Sequence, residues 1–202
     1  DPNSPTLRVG GEVTKHFPTV EHQYRMYSLD NSYDFNDLED WHKRVTKTLE
    51  TDAVEYVCEL KYDGASISIL YENGKLIQAV TRGDGFQGDE ITANIKTIKD
   101  IPLQLRGDFP NPFFMRGEIY LTHENFNKIN EERAAEGYDA FMNPRNTASG
   151  SLKLQDSAEV SKRNLSAVLY QFVAGNLPSE THFNLLQKAK TWGFKSSENA
   201  KI

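Results

Sequence analysis

The sequence predicts an α+β fold in which mainly antiparallel sheets are flanked by helices. Two strand-like segments, residues 65–71 and 76–82, flank Asn73-Gly74, a two-residue turn that favours a β-hairpin. Residues 113–121 alternate between polar and apolar positions, as a strand with one buried face does. Because a hairpin pairs its strands antiparallel, these observations favour an antiparallel sheet over a parallel one.

Helices are predicted around these strands. Apolar side chains recur at helical spacing in residues 35–49, and Asp34 is placed as the N-cap. We expect this helix to pack on the sheet. A second helix is predicted to begin after Thr122, residues 165–173 form the last predicted strand, and a final helix is expected to end before Gly193.

The composition is that of an ordinary globular protein of 202 residues with a formal net charge of -6. This charge argues against DNA binding through an overall basic surface, although a local basic patch remains compatible with it. The single cysteine, Cys58, excludes an intramolecular disulfide framework and a multi-cysteine zinc site within this segment. The sequence has neither a long apolar run nor a signal-peptide pattern, so we expect a cytoplasmic protein.

A lysine between two carboxylates is the most informative feature of the chain. Lys61 stands in the run Glu59-Leu60-Lys61-Tyr62-Asp63-Gly64, which ends an apolar, strand-like segment. A strand through residues 54–62 would place Glu59 and Lys61 on one face and Cys58 on a buried face. A lysine amine is nucleophilic only when neutral, and its reference pKa of about 10.4 requires desolvation or nearby positive charge. Lys61 is therefore a candidate covalent nucleophile, although an isolated K-x-D-G is more typical of a surface lysine with salt-bridge partners beside a turn.

Three further segments are candidates for ligand binding. Residues 82–90 contain three glycines that would let the backbone approach a ligand, or they form an ordinary loop. Arg116 and Glu118 share one face of a predicted strand, where they would bind a ligand or form a cross-strand ion pair. Residues 143–151 should open a helical turn whose backbone N–H groups, together with Arg145, suit a phosphate.

Taken together, these blocks resemble the adenylation domain of bacterial NAD-dependent DNA ligases over nearly the whole chain. K-x-D-G alone would be weak evidence, but six blocks occur in the family's order. The resemblance implies an ATP-grasp-like nucleotidyltransferase domain. The blocks are Ser4-Pro5-Thr6-Leu7-Arg8-Val9-Gly10, Ser28-Leu29-Asp30-Asn31, Glu59-Leu60-Lys61-Tyr62-Asp63-Gly64, Thr81-Arg82-Gly83-Asp84-Gly85, Arg116-Gly117-Glu118 and Asn143-Pro144-Arg145-Asn146.

The resemblance implies that Lys61 attacks the α-phosphate of NAD, releases nicotinamide mononucleotide (NMN) and keeps AMP as a phosphoramidate. The positive charge of the pyridinium ring of NAD, or of Mg²⁺, would favour the neutral amine. The implied nucleotide contacts are Glu59 with the adenine amino group, Ser28 and Leu29 with the adenine ring, Glu118 with the ribose hydroxyls and Arg82 with ribose and phosphate. Asp63 and Arg116 resemble supporting residues beside the nucleophile and beside Glu118.

The same resemblance implies a DNA substrate. Asn143 and Arg145 are similar to family residues that meet DNA phosphates around a nick, and such contacts position a duplex without specifying its sequence. Lys153 stands where the family is expected to have arginine, so it keeps the charge but loses the planar fork. The enzyme would pass AMP to the 5′-phosphate of nicked duplex DNA, and the 3′-hydroxyl would then seal the nick, as replication and repair require.

The predicted domain organisation follows from the resemblance. Residues 1–27 are interpreted as an extended lead-in from an upstream NMN-binding module, and residues 28–202 as an adenylation domain truncated before its last motifs. Those motifs would be a D-G-V-V-x-K block and a further lysine, followed by OB-fold, zinc-finger, helix-hairpin-helix and BRCT modules that include the family's zinc site. We therefore expect this chain to be monomeric and inactive in nick sealing.

Three alternatives remain. An ATP-dependent polynucleotide ligase or a capping enzyme shares K-x-D-G, but its pyrophosphate leaving group needs basic residues where NAD has its cationic half. Arg82-Gly83-Asp84 would serve as an adhesion tripeptide if it lay on an exposed loop of a binding module. A catalytically silent scaffold is the third alternative, against which the intact Lys61, Glu59 and Glu118 argue.

Overall fold

The computed structural model describes residues 16–195. Within this range the chain forms two antiparallel sheets and six helices. In chain order the elements are β1 (Thr19–Glu21), α1 (Phe35–Leu49), β2 (Ala65–Glu72), β3 (Lys75–Thr81), β4 (Gln87–Asp89), α2 (Thr92–Ile95), β5 (Phe113–Tyr120), α3 (His123–Ala135), α4 (Pro144–Leu152), α5 (Ser157–Lys162), β6 (Ser166–Val173) and α6 (His182–Trp192).

The main sheet has the strand order β3-β2-β5-β6, and all its neighbours are antiparallel. The predicted hairpin is confirmed, because Asn73 and Gly74 connect β2 to β3 with φ angles of 50° and 73°. Positive φ at both turn residues matches the right-handed twist of the flanking strands. β1 pairs with β4 in a separate two-stranded sheet. The α+β fold with mainly antiparallel sheets is therefore confirmed.

The main sheet has one apolar face and one polar face. Ile67 and Ile69 of β2 and Met115 and Ile119 of β5 are completely buried, together with apolar side chains of α2, α4 and α6. The alternate positions of the same strands carry polar groups, and Ser66 lies opposite Glu118 in the register of β2 and β5. The period-two pattern of the sequence thus separates the core from the face that can bind a ligand.

The helix ends agree with the sequence analysis. Asp34 accepts a hydrogen bond from the backbone of Asp37 at the start of α1, and Thr122 does the same for Asn125 at the start of α3. The last helix ends at Gly193, which has a left-handed φ of 105°. These signals are local, since each needs only a side chain and a backbone N–H within one turn.

The expected packing of α1 on the sheet is wrong. None of its residues is buried, and Phe35 is 71% exposed. The contacts of its apolar stripe include Tyr56, whose ring lies 4.8 Å from that of Trp41. The apolar face of the sheet is already covered by other helices and the polar face borders a cavity, so an amphipathic pattern alone did not specify the partner.

The predicted strand through residues 54–62 is also wrong. This segment is irregular apart from one isolated bridge at Cys58, and Cys58 is exposed rather than buried. All four residues from Glu59 to Tyr62 line the same cavity instead of alternating between two faces. An apolar run becomes a strand only where a neighbouring strand can pair with it. The short elements β1, β4 and α5 were not predicted.

Gly64 brings the segment that carries Lys61 into backbone contact with the sheet. A Cβ at Gly64 would lie 2.1 Å from the carbonyl oxygen of Ile119 in β5. Any side chain here would push residues 61–64 away from the central strand. The glycine of the K-x-D-G motif is therefore needed for close approach.

We expect Gly64→Ala to lower the free energy of unfolding by about 1–3 kcal/mol, because the added carbon would overlap backbone atoms. Gly150→Ala in α4 is the matched control, since nothing lies within 4 Å of the added Cβ. The control should be neutral or stabilising by up to about 1 kcal/mol. Urea unfolding measures both, and equal stability of the two variants would contradict the close approach.

Candidate active site

A cavity of about 580 Å³ lies on the polar face of the main sheet. It is bordered by β2, β5 and β6, by residues 26–31 and 59–62, and by the first residue of α6. The structure brings together in this cavity seven residues that the sequence analysis selected, which are Ser28, Leu29, Glu59, Lys61, Arg82, Arg116 and Glu118. Asp63, Asn143, Arg145 and Lys153 are not part of its lining.

Arg116 connects the central strand to the segment before Ser28. Its side chain is buried, and Nη2 donates to the carbonyl oxygens of Tyr24 and Arg25 at 2.6 and 2.9 Å. Nη1 donates to Gln171 on β6 at 3.2 Å. Burial lowers the pKa of Arg116 from its ordinary value. These hydrogen bonds go to carbonyl and amide oxygens rather than to Glu118, so any support of Glu118 is indirect.

The loop of residues 82–90, which contains three glycines, also contacts the segment before Ser28. The backbone N–H of Met26 donates to the carbonyl of Gly85 at 2.9 Å, and the guanidinium of Arg25 lies 4.0 Å from the centre of the Phe86 ring. Asp84 accepts hydrogen bonds from the backbone N–H groups of Gln87 and Phe86, which lower its pKa. Because Asp84 is used inside its own turn and Arg82 lines the cavity, the loop does not present an adhesion tripeptide.

Glu118 is a partly buried acid close to two cations. Its Oε2 accepts a hydrogen bond from Ser66 Oγ at 2.7 Å. Burial raises the pKa of Glu118, while the hydrogen bond from Ser66 and the positive charges of Lys61 and Arg145 act in the opposite direction. Lys61 itself is exposed to solvent.

Glu59 is held by a residue distant in sequence. His182 Nε2 lies 2.8 Å from Glu59 Oε2, and the two residues are 123 positions apart. The other oxygen, Oε1, is buried and has no hydrogen-bond partner among the described residues. Buried acceptors are normally paired, so this oxygen is available for a donor that enters with a ligand.

Ser28 and Leu29, the residues predicted to contact the adenine ring, lie on an open side of the cavity. Leu29 is 76% exposed, and Ser28 Oγ lies 3.5 Å from Arg82 Nη1, which is at the long limit for a hydrogen bond. The position of Ser28 and Leu29 therefore depends less on their own contacts than on residues 24–26, which are held by Arg116 and Gly85.

The predicted DNA-binding residues lie at the two ends of α4. Asn143 is the N-cap of the helix and accepts from the backbone N–H of Asn146 at 3.0 Å. Arg145 Nη1 lies 3.4 Å from Asp63 Oδ1, and Lys153 Nζ lies 2.7 Å from Asp89 Oδ2. Both cations are at least half exposed. Such surface ion pairs contribute little to stability and can exchange for a phosphate.

The described part of the chain has neither a metal-ligand cluster nor a membrane-spanning helix. No group of three or more His, Cys, Asp or Glu side chains there is arranged to hold a metal ion. None of the helices between residues 16 and 195 is long and apolar enough to cross a membrane. The predicted block Ser4–Gly10 lies outside the described residues.

Sequence reasoning missed several cavity residues. Ser66 had a usable signal, because it alternates with Ile67 and Ile69 on a strand and so belongs to the polar face. Tyr170 of β6 also lines the cavity, and burial raises its pKa. His182 gave no signal at all, because nothing in the local pattern relates it to Glu59.

Arg116→Lys should loosen residues 22–29, because a lysine keeps the charge but cannot donate to Tyr24, Arg25 and Gln171 together. We expect faster amide hydrogen exchange in this segment and a loss of about 1–3 kcal/mol in the free energy of unfolding. Arg106→Lys is the control, since Arg106 is exposed. Unchanged exchange in residues 22–29 of Arg116→Lys would contradict the anchoring role.

Glu118→Gln should stabilise the ligand-free protein at neutral pH. A raised folded-state pKa means that ionised Glu118 costs stability above that pKa, while below the unfolded-state pKa the protonated acid costs nothing. We expect Tm to rise by about 1–4 °C at pH 7 and the gain to shrink as pH falls through the folded-state pKa. Thermal melts of both proteins between pH 4 and pH 8 measure this, and a gain that grew on acidification would refute it.

The chain is similar to known proteins along most of its length. Residues 14–202 match the sequence model of a family described as NAD-dependent DNA ligase adenylation domain. A DNA ligase of Flavobacterium psychrophilum is 61% identical over 195 residues, which are 96% of this chain and 29% of the relative. The DNA ligase of Flavobacterium johnsoniae is 60% identical over 202 residues, which are 100% of this chain and 30% of the relative.

More distant relatives show the same coverage. The DNA ligase of Bacteroides fragilis is 53% identical over 198 residues, which are 98% of this chain and 30% of the relative. The chain thus spans about 30% of the length of these curated relatives. Since the family model covers the cavity and every element around it, the chain belongs to the NAD-dependent DNA ligase adenylation domain family.

Proposed function

We propose that this chain is the nucleotide-binding part of an NAD-dependent DNA ligase, in which Lys61 becomes covalently linked to AMP. The observation that carries the proposal is the cavity, which places Lys61 beside Glu118, Glu59 and Arg82 at the boundary between a polar sheet face and solvent. An exposed amine there can reach a bound phosphate, and the acids can hold the nucleoside. Family membership supports the choice of NAD over ATP as the AMP donor.

The first step is a displacement at phosphorus. The neutral amine of Lys61 attacks the α-phosphorus of NAD, a nitrogen–phosphorus bond forms, and the bond to the bridging oxygen breaks. NMN leaves with its own phosphate, and the amine proton passes to solvent, to which Lys61 is open. The cationic pyridinium ring of NAD favours the neutral amine before attack. Positioning and charge stabilisation, rather than acid–base chemistry by the protein, carry this step.

The remaining cavity residues bind the nucleotide. Glu59 accepts from the adenine amino group, Ser28 and Leu29 contact the ring, and Glu118 binds the ribose hydroxyls. Arg82 pairs with the phosphate. Arg116 supports nucleotide binding indirectly, because it anchors the backbone before Ser28.

Mg²⁺ fits this site as a partner of the substrate phosphates. Mg²⁺ needs few protein ligands and commonly uses one or two carboxylates plus phosphate oxygens. Asp63 follows Lys61 by two positions and is 72% exposed, so its carboxylate can exchange Arg145 for such an ion. When bound, the ion would neutralise charge on the phosphoryl oxygens. Asp63 otherwise orders the turn after the nucleophile.

The later steps use DNA. AMP passes from Lys61 to the 5′-phosphate at a nick, and the 3′-hydroxyl displaces AMP to seal it. Asn143, Arg145 and Lys153 lie at the two ends of α4 and bind DNA phosphates, and Arg145 and Lys153 then leave their partners Asp63 and Asp89. The protein acts as a cytoplasmic monomer in replication and repair.

We infer a whole protein larger than this segment, because the chain spans about 30% of the length of its relatives. In our proposal residues 1–27 lead in from an NMN-binding module and residues 28–202 form the adenylation domain without its last motifs. Residues 16–27 nevertheless pack on the domain, because β1 pairs with β4 and Arg116 binds Tyr24 and Arg25. Zinc belongs to a module outside this chain. The segment alone is therefore expected to be inactive in nick sealing.

Intact-mass spectrometry after incubation with Mg²⁺ and NAD tests the proposal, with ATP in a parallel incubation. The chain extended at both ends to the length of its relatives should gain the mass of AMP with NAD only. Lys61→Ala should abolish the adduct because the nucleophile is gone, and Lys153→Ala is the matched lysine control that should keep it.

The other outcomes are equally informative. An adduct formed with ATP would favour the ATP-dependent ligases or capping enzymes, and an adduct that survives Lys61→Ala would place the nucleophile elsewhere. Robust nick sealing by the segment alone would overturn the predicted truncation.

A further inference from the structure

We propose that His182 is a positioning residue that holds Glu59 in place as a hydrogen-bond acceptor and thereby sets selectivity for a nucleotide base with an exocyclic amino group. The inference rests on the proposed function, since it concerns the same cavity. His182 lines this cavity together with Glu59, although the two residues are 123 positions apart.

The two carboxylate oxygens of Glu59 have different surroundings. His182 Nε2 lies 2.8 Å from Oε2, so the ring N–H can donate to that oxygen. Oε1 is buried and has no partner among the described residues. A carboxylate that accepts on one oxygen is fixed in orientation, and its second oxygen is left for a donor brought by the ligand.

His182 stands on a rigid support. It is the first residue of α6, whose N-cap Thr181 accepts from the backbone N–H of Asn184. The helix itself is buried in the core through Leu186 and Trp192, which are 1% and 2% exposed. The imidazole is therefore held against Glu59 by the core, and the selectivity of the cavity depends on a helix that carries no residue of the adenylation chemistry.

The chemistry of purines makes this arrangement selective. An adenine presents an amino group that donates to the carboxylate, whereas hypoxanthine presents at the same position a carbonyl oxygen, which is itself an acceptor and has no hydrogen to donate. A site built around a buried hydrogen bond rejects the analogue that cannot make it. Without His182, Glu59 can rotate away from the position in which it accepts from the amino group, so discrimination should fall.

The test compares two variants of similar size in the chain extended to the length of its relatives. His182→Gln keeps an N–H donor near the position of Nε2, and His182→Met does not. Adduct formation is measured with NAD and with nicotinamide hypoxanthine dinucleotide, and the ratio of their kcat/KM values gives the selectivity. Asn184→Met controls for an apolar residue in the first turn of α6, because Asn184 is exposed.

We expect the selectivity ratio to fall about tenfold or more in His182→Met, and to stay within about threefold of the parent protein in His182→Gln and Asn184→Met. The loss should be mainly in KM for NAD, because the base is remote from the reacting phosphorus. A role confined to folding would lower kcat with both dinucleotides equally and leave their ratio unchanged.

Each remaining result is decisive. An unchanged ratio in His182→Met, or an equal loss in His182→Gln and His182→Met, would overturn the positioning role while leaving the adenylation of Lys61 intact. If His182→Met does not fold, His182→Gln alone decides. A tenfold fall in its selectivity ratio would overturn the positioning role of His182, and an unchanged selectivity ratio would support it. No adduct in the parent protein with NAD would instead refute the proposed function.

Discussion

The buried guanidinium of Arg116 is the interaction on which the cavity depends. Arg116 lies on β5, a central strand of the main sheet, and binds the carbonyl oxygens of Tyr24 and Arg25, which are 92 and 91 positions away. A buried cation must be satisfied by hydrogen bonds, so the segment that supplies those oxygens has one favourable position. Residues 26–29 then continue from that position along the cavity.

The polar face of the sheet is a compromise between stability and binding. Burial disfavours the charged form of Glu118, and Glu59 and Arg116 each keep one buried polar atom without a partner in the described part of the chain. Such groups destabilise an empty site but gain a partner when a ligand of complementary chemistry arrives. The apolar face of the same strands supplies the compensating stability, because its side chains are completely buried.

The rim of the site carries two exposed cations although the chain has a net charge of -6. Arg145 and Lys153 lie at the two ends of α4 and are paired with Asp63 and Asp89 at the surface. Both cations are at least half exposed, so a phosphate could replace the carboxylates at little cost in stability. In our proposal this local arrangement, rather than the total charge, provides the surface for DNA.

The sequence by itself determined the features that depend on short spacings: the Asn73-Gly74 hairpin, the alternation along β5 and the caps of the helices. It also identified the residues of the cavity that belong to recognisable motifs. It failed for the segment through Cys58 and for α1, because pairing and burial depend on which surfaces other elements leave open. Only the tertiary structure brought His182 to Glu59 and Arg116 to Tyr24, since no local pattern encodes a contact between residues about a hundred positions apart.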